Sequence, residues 1–552
     1  MSAACGEDVT LGGLDTGTAT GTSTIQGSST STSPGTASTT ASESGSGTLD
    51  SEDAGGTPLL DVGAESGSES GGPSVDLCTV PDDAMDAPGP CDYEAPADSF
   101  APVLKWEWQG EGQNVNSATT PLVANLTDDN NDGSIDLCDT PDVIVIANGE
   151  PTGPGTIYVL DGASGEVHFS IDHALDDMNL ALGDLDGDGL PEIAAQSFHG
   201  GAVVFEHDGT LKWESPTGVW PRFNAISLAD LDNDEDVELV YPHGLILDHE
   251  GNVLVGASDE FWEGSTPLGV DLDGDDDLEI VDGRRVFHHD GTPMWTISDQ
   301  ACPAPPDGAE IMVGIADFDA DGDPDIFMSG VTGLGPATFC IVDGNGELLF
   351  SLSALPEAPD AIDWLRPPAI HDVNGDGTPE VGVGGSTQYF AVLGVQGGVL
   401  APLFVASGLD DTGNAGATAF DFLGDGTAEA IYMDQTQLHA YDSTGGVEFT
   451  VARTSYTQIE YPVVADIDND GSAEFIVTSN GGESPVRAFH DADDRWVPAR
   501  RIWNQHAYHV TNVREDGTIP AIQAPFWQQL NTFRTQSQIG TTSGETCRPP
   551  PN

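Results

Sequence analysis

Along this chain of 552 residues one spacing of oxygen-bearing side chains returns eight times: Asp, any residue, Asp or Asn, any residue, Asp, usually Gly, two residues, then Asp or Glu. The copies supply Asp128, Asn130, Asp132 and Asp136; Asp184, Asp186, Asp188 and Glu192; Asp230, Asp232, Asp234 and Glu238; and Asp271, Asp273, Asp275 and Glu279. Four more supply Asp317, Asp319, Asp321 and Asp325; Asp372, Asn374, Asp376 and Glu380; Asp421, Asp425 and Glu429; and Asp466, Asp468, Asp470 and Glu474. Carboxylates at alternate positions of a tight loop converge on one point, as a hard cation requires: Ca²⁺ takes about six to eight oxygens at about 2.3 to 2.6 Å. A backbone carbonyl near position seven and the acid at position nine would complete the shell, and Gly at position six permits the sharp turn. Calcium is therefore the cofactor these residues imply. Solvated turns also favour Asp and Gly, but they do not require an acid at positions one, five and nine in every copy.

An EF-hand begins alike but closes at position twelve and runs into a helix. Here the closing acid is at nine, and β-forming residues such as Ile193, Ile280-Val281 and Phe475-Ile476-Val477 follow it. The copies are unequal. Leu423 stands at position three of the seventh, and Glu235 and Asp276 replace the turn Gly of the third and fourth. The first carries an insertion, Leu137 to Pro141, which leaves Asp136 or Asp142 as its closing acid.

The elements that must hold such loops follow from their spacing. Successive copies begin 41 to 56 residues apart, about the length of one four-stranded propeller blade. Each interval carries a recurrent strand-turn unit, as in Phe205-Glu206-His207-Asp208-Gly209 followed by Leu211-Lys212-Trp213. Leu104-Lys105-Trp106, ahead of the first loop, has the character of such a blade-ending strand, so the N-terminal strand is expected to complete the last blade and leave no open edge. The fold class is all-β: a β-propeller of about eight four-stranded blades, or seven if one unit is incomplete. At this level the repeats resemble the FG-GAP and VCBS family, the calcium-loop propellers of integrin heads and many bacterial surface proteins. The resemblance covers about residues 100 to 500. It implies calcium at positions one, three, five and nine, and is silent on activity.

Composition narrows the partners. Lys and Arg number 14 against 93 Asp and Glu, a formal net charge of -79, and the only lysines are Lys105 and Lys212. Such a surface repels nucleic acid and anionic lipid. No apolar run is long enough to span a membrane. Residues 1–95 read as an exported N-terminus with a Ser/Thr/Gly-rich acidic tether. Met1 to Gly6 resembles the end of a bacterial lipoprotein signal, so a lipidated Cys5 is one expectation and a free Cys the other. The other six cysteines allow three disulfides, and Cys78 with Cys91 and Cys302 with Cys340 lie near enough in sequence to pair. Residues 96–515 are assigned to the propeller. Residues 516–552 form a C-terminal extension, with a short helix expected over Pro525 to Gln536, where Phe526, Leu530 and Phe533 recur at helical spacing.

Between Arg487 and Arg514 the chain concentrates Arg487, Arg495, Arg500, Arg501 and Arg514 among aromatic residues. They could form a ligand surface, or pair with acids while the tryptophans fill a core. His506 and His509 could ligate a transition metal but lack a third ligand nearby. Asn125 heads an N-x-T sequon that abuts the first loop. No nucleophile elbow, zinc-protease helix or phosphate loop is present, and no residue is assigned as catalytic. The expected function is a calcium-stabilised adhesion, recognition or scaffold module, monomeric, secreted or on the outer cell surface, whose partner is an extracellular protein or glycan. A polysaccharide lyase or hydrolase is one alternative, with the arginine cluster as its only source of cations. A purely structural envelope spacer is another.

Overall fold

The computed structural model describes Cys78 and residues 94–538, except 98, 151–152, 176–179, 199, 216–224, 258–265, 299–301, 303–310, 332–336, 354, 356–364, 386–387, 412–414, 483 and 529. Cys5, the tether, Cys91 and Cys547 lie outside the described residues.

Short apolar runs broken by Asp-Gly turns produce eight antiparallel four-stranded sheets, and so eight blades rather than seven. Blade 1 runs from Leu122 to Leu175, blade 2 from Ala181 to Ser215, blade 3 from Ser227 to Val255 and blade 4 from Leu268 to Thr296. Blades 5, 6 and 7 run from Val313 to Ser353, Leu365 to Ser407 and Ala417 to Ala452. Blade 8 takes three strands from Val463 to Asp491, and its fourth is Pro102–Trp108 from the other end of the chain. Pro102 pairs with Asp491 and Trp108 with Val486, so the N-terminal strand closes the ring as its sequence implies.

Within a blade the first three strands are buried almost throughout, whereas the fourth alternates exposed and covered residues. First strands of neighbouring blades lie against one another and form the inner wall. Blades are also stitched at the outside: Trp106, Trp213 and Trp295, in fourth strands, donate their indole N–H to Gly162, His249 and Gly344 of the next blade at 2.6, 2.9 and 3.0 Å. Trp213 lies so close over Gly251 that a Cβ there would meet the ring at 2.8 Å, and Gly251 also adopts a positive φ of 83°.

After Asp491 the chain adds no further strand among the described residues. It crosses the centre of the ring instead. Trp503 exchanges two backbone hydrogen bonds with Val123 of blade 1, and Phe533 exchanges two with Ile370 of blade 6. Asn504 binds Leu182 of blade 2, the Gln505 side chain accepts from Leu228 of blade 3, and Gln536 donates to Val464 of blade 8. First strands at the wall of a channel have one edge of unpaired N–H and C=O groups. The insert, residues 492–538, supplies partners for them.

The late helix expected over Pro525 to Gln536 is a single 3-10 turn, Phe526–Gln528. Phe533 is held in a β-bridge, because pairing with a first strand outweighs local helical spacing. Cys302 pairs with Cys340 as expected, but Cys78 pairs with Cys138 rather than with Cys91. The bond ties the segment ahead of the propeller to the insertion of the first acid loop.

Candidate metal loops

In every blade the acid loop joins the first strand to the second. In seven blades the position-nine acid is the first residue of the second strand: Glu192, Glu238, Glu279, Asp325, Glu380, Glu429 and Glu474. Its carboxylate accepts the N–H of position two at 2.7 to 3.2 Å, from Leu185 to Glu192 through Phe422 to Glu429. The position-one Asp accepts the N–H of position six in all eight loops, from Gly189 to Asp184 at 2.9 Å for example. Position six has a positive φ throughout, including 73° at Glu235 and 76° at Asp276. These two therefore keep the turn geometry despite lacking Gly, at a cost of about 1 to 3 kcal/mol each. Leu423 is turned into the core beside Phe422 and Trp496, so the loop of blade 7 has no ligand at position three.

The first loop is built differently. Asp142 starts the second strand and accepts the N–H of Leu126 at 2.9 Å, as the position-nine acids do elsewhere. Asp128 to Asp136 bulges outward as an insert, and Asp139, fully buried, accepts the N–H groups of Asp129 and Asn130 at 3.0 and 3.2 Å. Asp139 thus closes that insert at position twelve. Asp136 stays on the loop, its carboxylate accepting from Cys138. Sequence reasoning passed over Asp139, although the spacing from Asp128 to Asp139 is that of an EF-hand loop.

Ligand oxygens converge in several loops: Asp184 with Asp186 and Glu192, Asp230 with Asp232 and Asp234, and Asp271 with Asp273 and Glu279. Burial pushes Glu238, Asp325, Glu380 and Glu429 up to about 8, and neighbouring carboxylates add to the shift. Asp466, also buried and facing Asp468 and Asp470, is pushed up to about 7. The residues fit a divalent cation on a further count: Asp466 Oδ1 is buried and has no hydrogen-bond partner in the structure. An acceptor left bare in this way costs about 1 to 3 kcal/mol unless a cation serves it.

A second feature repeats around the ring and was not foreseen. The fourth strand of every blade has a register shift that leaves one extra residue: His168, Lys212, Leu254, Met294, Leu349, Leu403, Glu448 and, in blade 8, Lys105. In blades 2 and 8 this residue reaches the acid loop. Lys212 Nζ lies 2.6 Å from Asp186 and 2.9 Å from Glu192, and Lys105 Nζ pairs with Asp468 and, at 3.0 Å, with Glu474. His168 lies 3.4 Å from Asp129 and 3.5 Å from Asp142. The shared Leu-Lys-Trp of the two lysine strands was the available signal.

Arg500 and Arg501 of the arginine cluster are interior, while Arg495 and Arg514 are half-buried. Arg500 donates to the Val510 and Val513 carbonyls, both at 2.7 Å, and Arg501 to the Leu137 carbonyl at 2.7 Å and to Asn469 at 3.0 Å. Glu515 takes an ion pair from each, at 3.3 and 3.2 Å. Both residues are 2% exposed, and Trp496 and Trp503 are buried, so for this pair the arrangement is the acid-paired interior and not the ligand surface. His506 and His509 do not converge on a metal: their Nε2 atoms face Ile459 O at 3.1 Å and Gln523 Oε1 at 2.8 Å. Burial keeps both rings neutral, His509 falling to about 4. Asn125 donates its side-chain N–H to Asp136 O at 2.7 Å, which ties the sequon into the loop.

Residues 184–241 and 317–383 match the model of FG-GAP-like repeats. No curated protein matches the sequence. Among solved structures the chain is similar to the V. cholerae biofilm matrix protein Bap1, at 18% identity and a TM-score of 0.65, over 80% of this chain and 99% of that one. A Bacillus licheniformis rhamnogalacturonan lyase matches at 14% identity and a TM-score of 0.44, over 81% of each chain.

Proposed function

We propose that this eight-bladed ring of FG-GAP-like repeats is an extracellular recognition or scaffold module whose acid loops are held by calcium. The observation that carries the choice of module over enzyme is the burial of Arg500 and Arg501 against Glu515 and backbone carbonyls. A lyase acting on an acidic polysaccharide needs cationic groups to neutralise the substrate carboxylate and a base to take the proton. Arg500 and Arg501, at the centre of the cluster the sequence offered for that task, are spent inside the ring. Two disulfides support an oxidising, extracellular setting, and among the described residues no helix is long and apolar enough to cross a membrane. A place in a biofilm matrix, as the name of Bap1 gives it, belongs to the same proposal, and so do the tether and a lipid anchor at Cys5.

In the loops of blades 2 to 8, positions one, three, five and nine would hold the ion, with Leu423 excluded from blade 7, and in blade 1 Asp139 would close the shell in place of Asp136. The ion would neutralise carboxylates that otherwise repel one another. The test is a binding screen of glycans and surface proteins, with and without calcium, run beside thermal melts. Calcium-dependent capture of a ligand and a melting temperature that falls on chelation are expected, since an ion bound to the native state stabilises it by mass action. A melt indifferent to chelator and to added calcium would remove the metal role. New unsaturated ends on an acidic polysaccharide would replace the module with a lyase.

A further inference from the structure

The fourth-strand bulge falls at the same step of every blade, its residue meets the acid loop in blades 1, 2 and 8, and its identity changes around the ring. In blades 3 to 6 it is Leu254, Met294, Leu349 and Leu403; in blade 2 it is Lys212. An ammonium has three N–H donors. Those of Lys212 face three carboxylates, Asp186 at 2.6 Å, Glu192 at 2.9 Å and Glu206 at 3.2 Å. The remaining ligand positions of this loop are also served from within the chain. Both oxygens of Asp184 accept backbone N–H groups, from Gly187 at 2.8 Å, Asp188 at 3.2 Å and Gly189 at 2.9 Å, and Asp188 accepts from Leu190 at 2.9 Å.

We infer that Lys212 is the resident cation of the blade 2 loop, its ammonium taking the part that a divalent ion plays where the bulge residue is apolar. A divalent ion brought to Asp186 and Glu192 would have to displace this ammonium or sit beside it, against like-charge repulsion. Blade 8 shows that a lysine at the bulge is insufficient by itself: Lys105 engages Asp468 and Glu474, yet buried Asp466 Oδ1 is left without a partner there. Blade 2 has no such orphan among its position-one oxygens. The position-one Asp residues of blades 5 and 6 accept the same three backbone N–H groups as Asp184, so it is the ammonium of Lys212 that sets the blade 2 loop apart.

This inference rests on the calcium reading above, and one set of measurements separates the two. Calcium stoichiometry is measured by equilibrium dialysis on the full chain, on Lys212→Met and on Leu349→Lys, which puts a lysine at the equivalent bulge position of blade 5, whose loop is regular. Lys212→Met is expected to bind one ion more than the unaltered chain, and Leu349→Lys one fewer. A Lys212→Met protein that folds and binds the same number as the unaltered chain overturns the inference and leaves the calcium reading intact. If Lys212→Met does not fold, Leu349→Lys decides, and an unchanged count there overturns the inference. If none of the three proteins binds calcium, both readings fall.

Discussion

The acid loops and the central insert handle charge in opposite ways. The loops set three or four carboxylates around one point, and burial with mutual repulsion pushes several of them up to about 8. The insert buries Arg500, Arg501 and Arg534 and gives each a set of oxygens from its own chain. On the calcium reading proposed above, one region takes its cations from outside, apart from those that Lys212 and Lys105 supply. The other has brought its cations with it. The contrast separates what calcium could regulate from what it could not.

The strongest break of this comparison is removal of the insert. A chain ending at Asp491 keeps all eight blades and all eight acid loops, but exposes the edges that Trp503, Gln505 and Phe533 complete. It is expected to lose its cooperative melt altogether, and saturating calcium should not restore it. A truncated chain that melts like the parent would mean that the blades close the ring unaided.

A milder break is Arg534→Met. Its guanidinium donates to His506 O at 3.1 Å, Val313 O at 2.6 Å and Pro368 O at 3.3 Å, and to the Thr266 hydroxyl at 3.2 Å. Three buried carbonyls would lose a donor, for a destabilisation of about 4 kcal/mol by denaturant titration. The loss should be equal with and without calcium. A loss that calcium repairs would tie the insert to the loops energetically.

The smallest effect concerns pH. His509 is buried and falls from 6.5 to about 4. The unfolded chain therefore binds this proton first as pH drops. The stability His509 contributes is complete above about 6.5 and is lost as pH falls toward 4, about 3 kcal/mol over the window. With calcium saturating, His509→Gln should flatten that acid limb by about this amount in pH-dependent unfolding. Identical acid limbs in the two proteins would show that His509 is charged in the fold.

What was legible in the sequence was whatever repeats. Asp at positions one and five fixes a loop, the loop fixes a strand on either side, and eight such units close a ring because Leu104-Lys105-Trp106 matches the end of another blade. The insert was illegible for the converse reason. Trp503, Gln505 and Phe533 bond to strands of blades 1, 3 and 6, far away in sequence and with no period, so the helical spacing of Phe526, Leu530 and Phe533 was the only local pattern on offer. Asp139 was missed because an insertion moved the closing acid out of register. The bulge lysines were visible as part of Leu-Lys-Trp but had no partner until the fourth strand was folded over its own loop.

Ring closure has a consequence for the order of events in synthesis. Lys105 meets Glu474, which is made 369 residues later, and the strand that carries it can pair only then. Until that moment Pro102–Trp108 is an unsatisfied edge on a growing chain, and the inner edges of the early blades await an insert made later still. Such long-range pairings are slow, and the waiting intermediates are prone to join one another. The dense negative charge then has a use that metal binding does not explain: it keeps half-made rings apart.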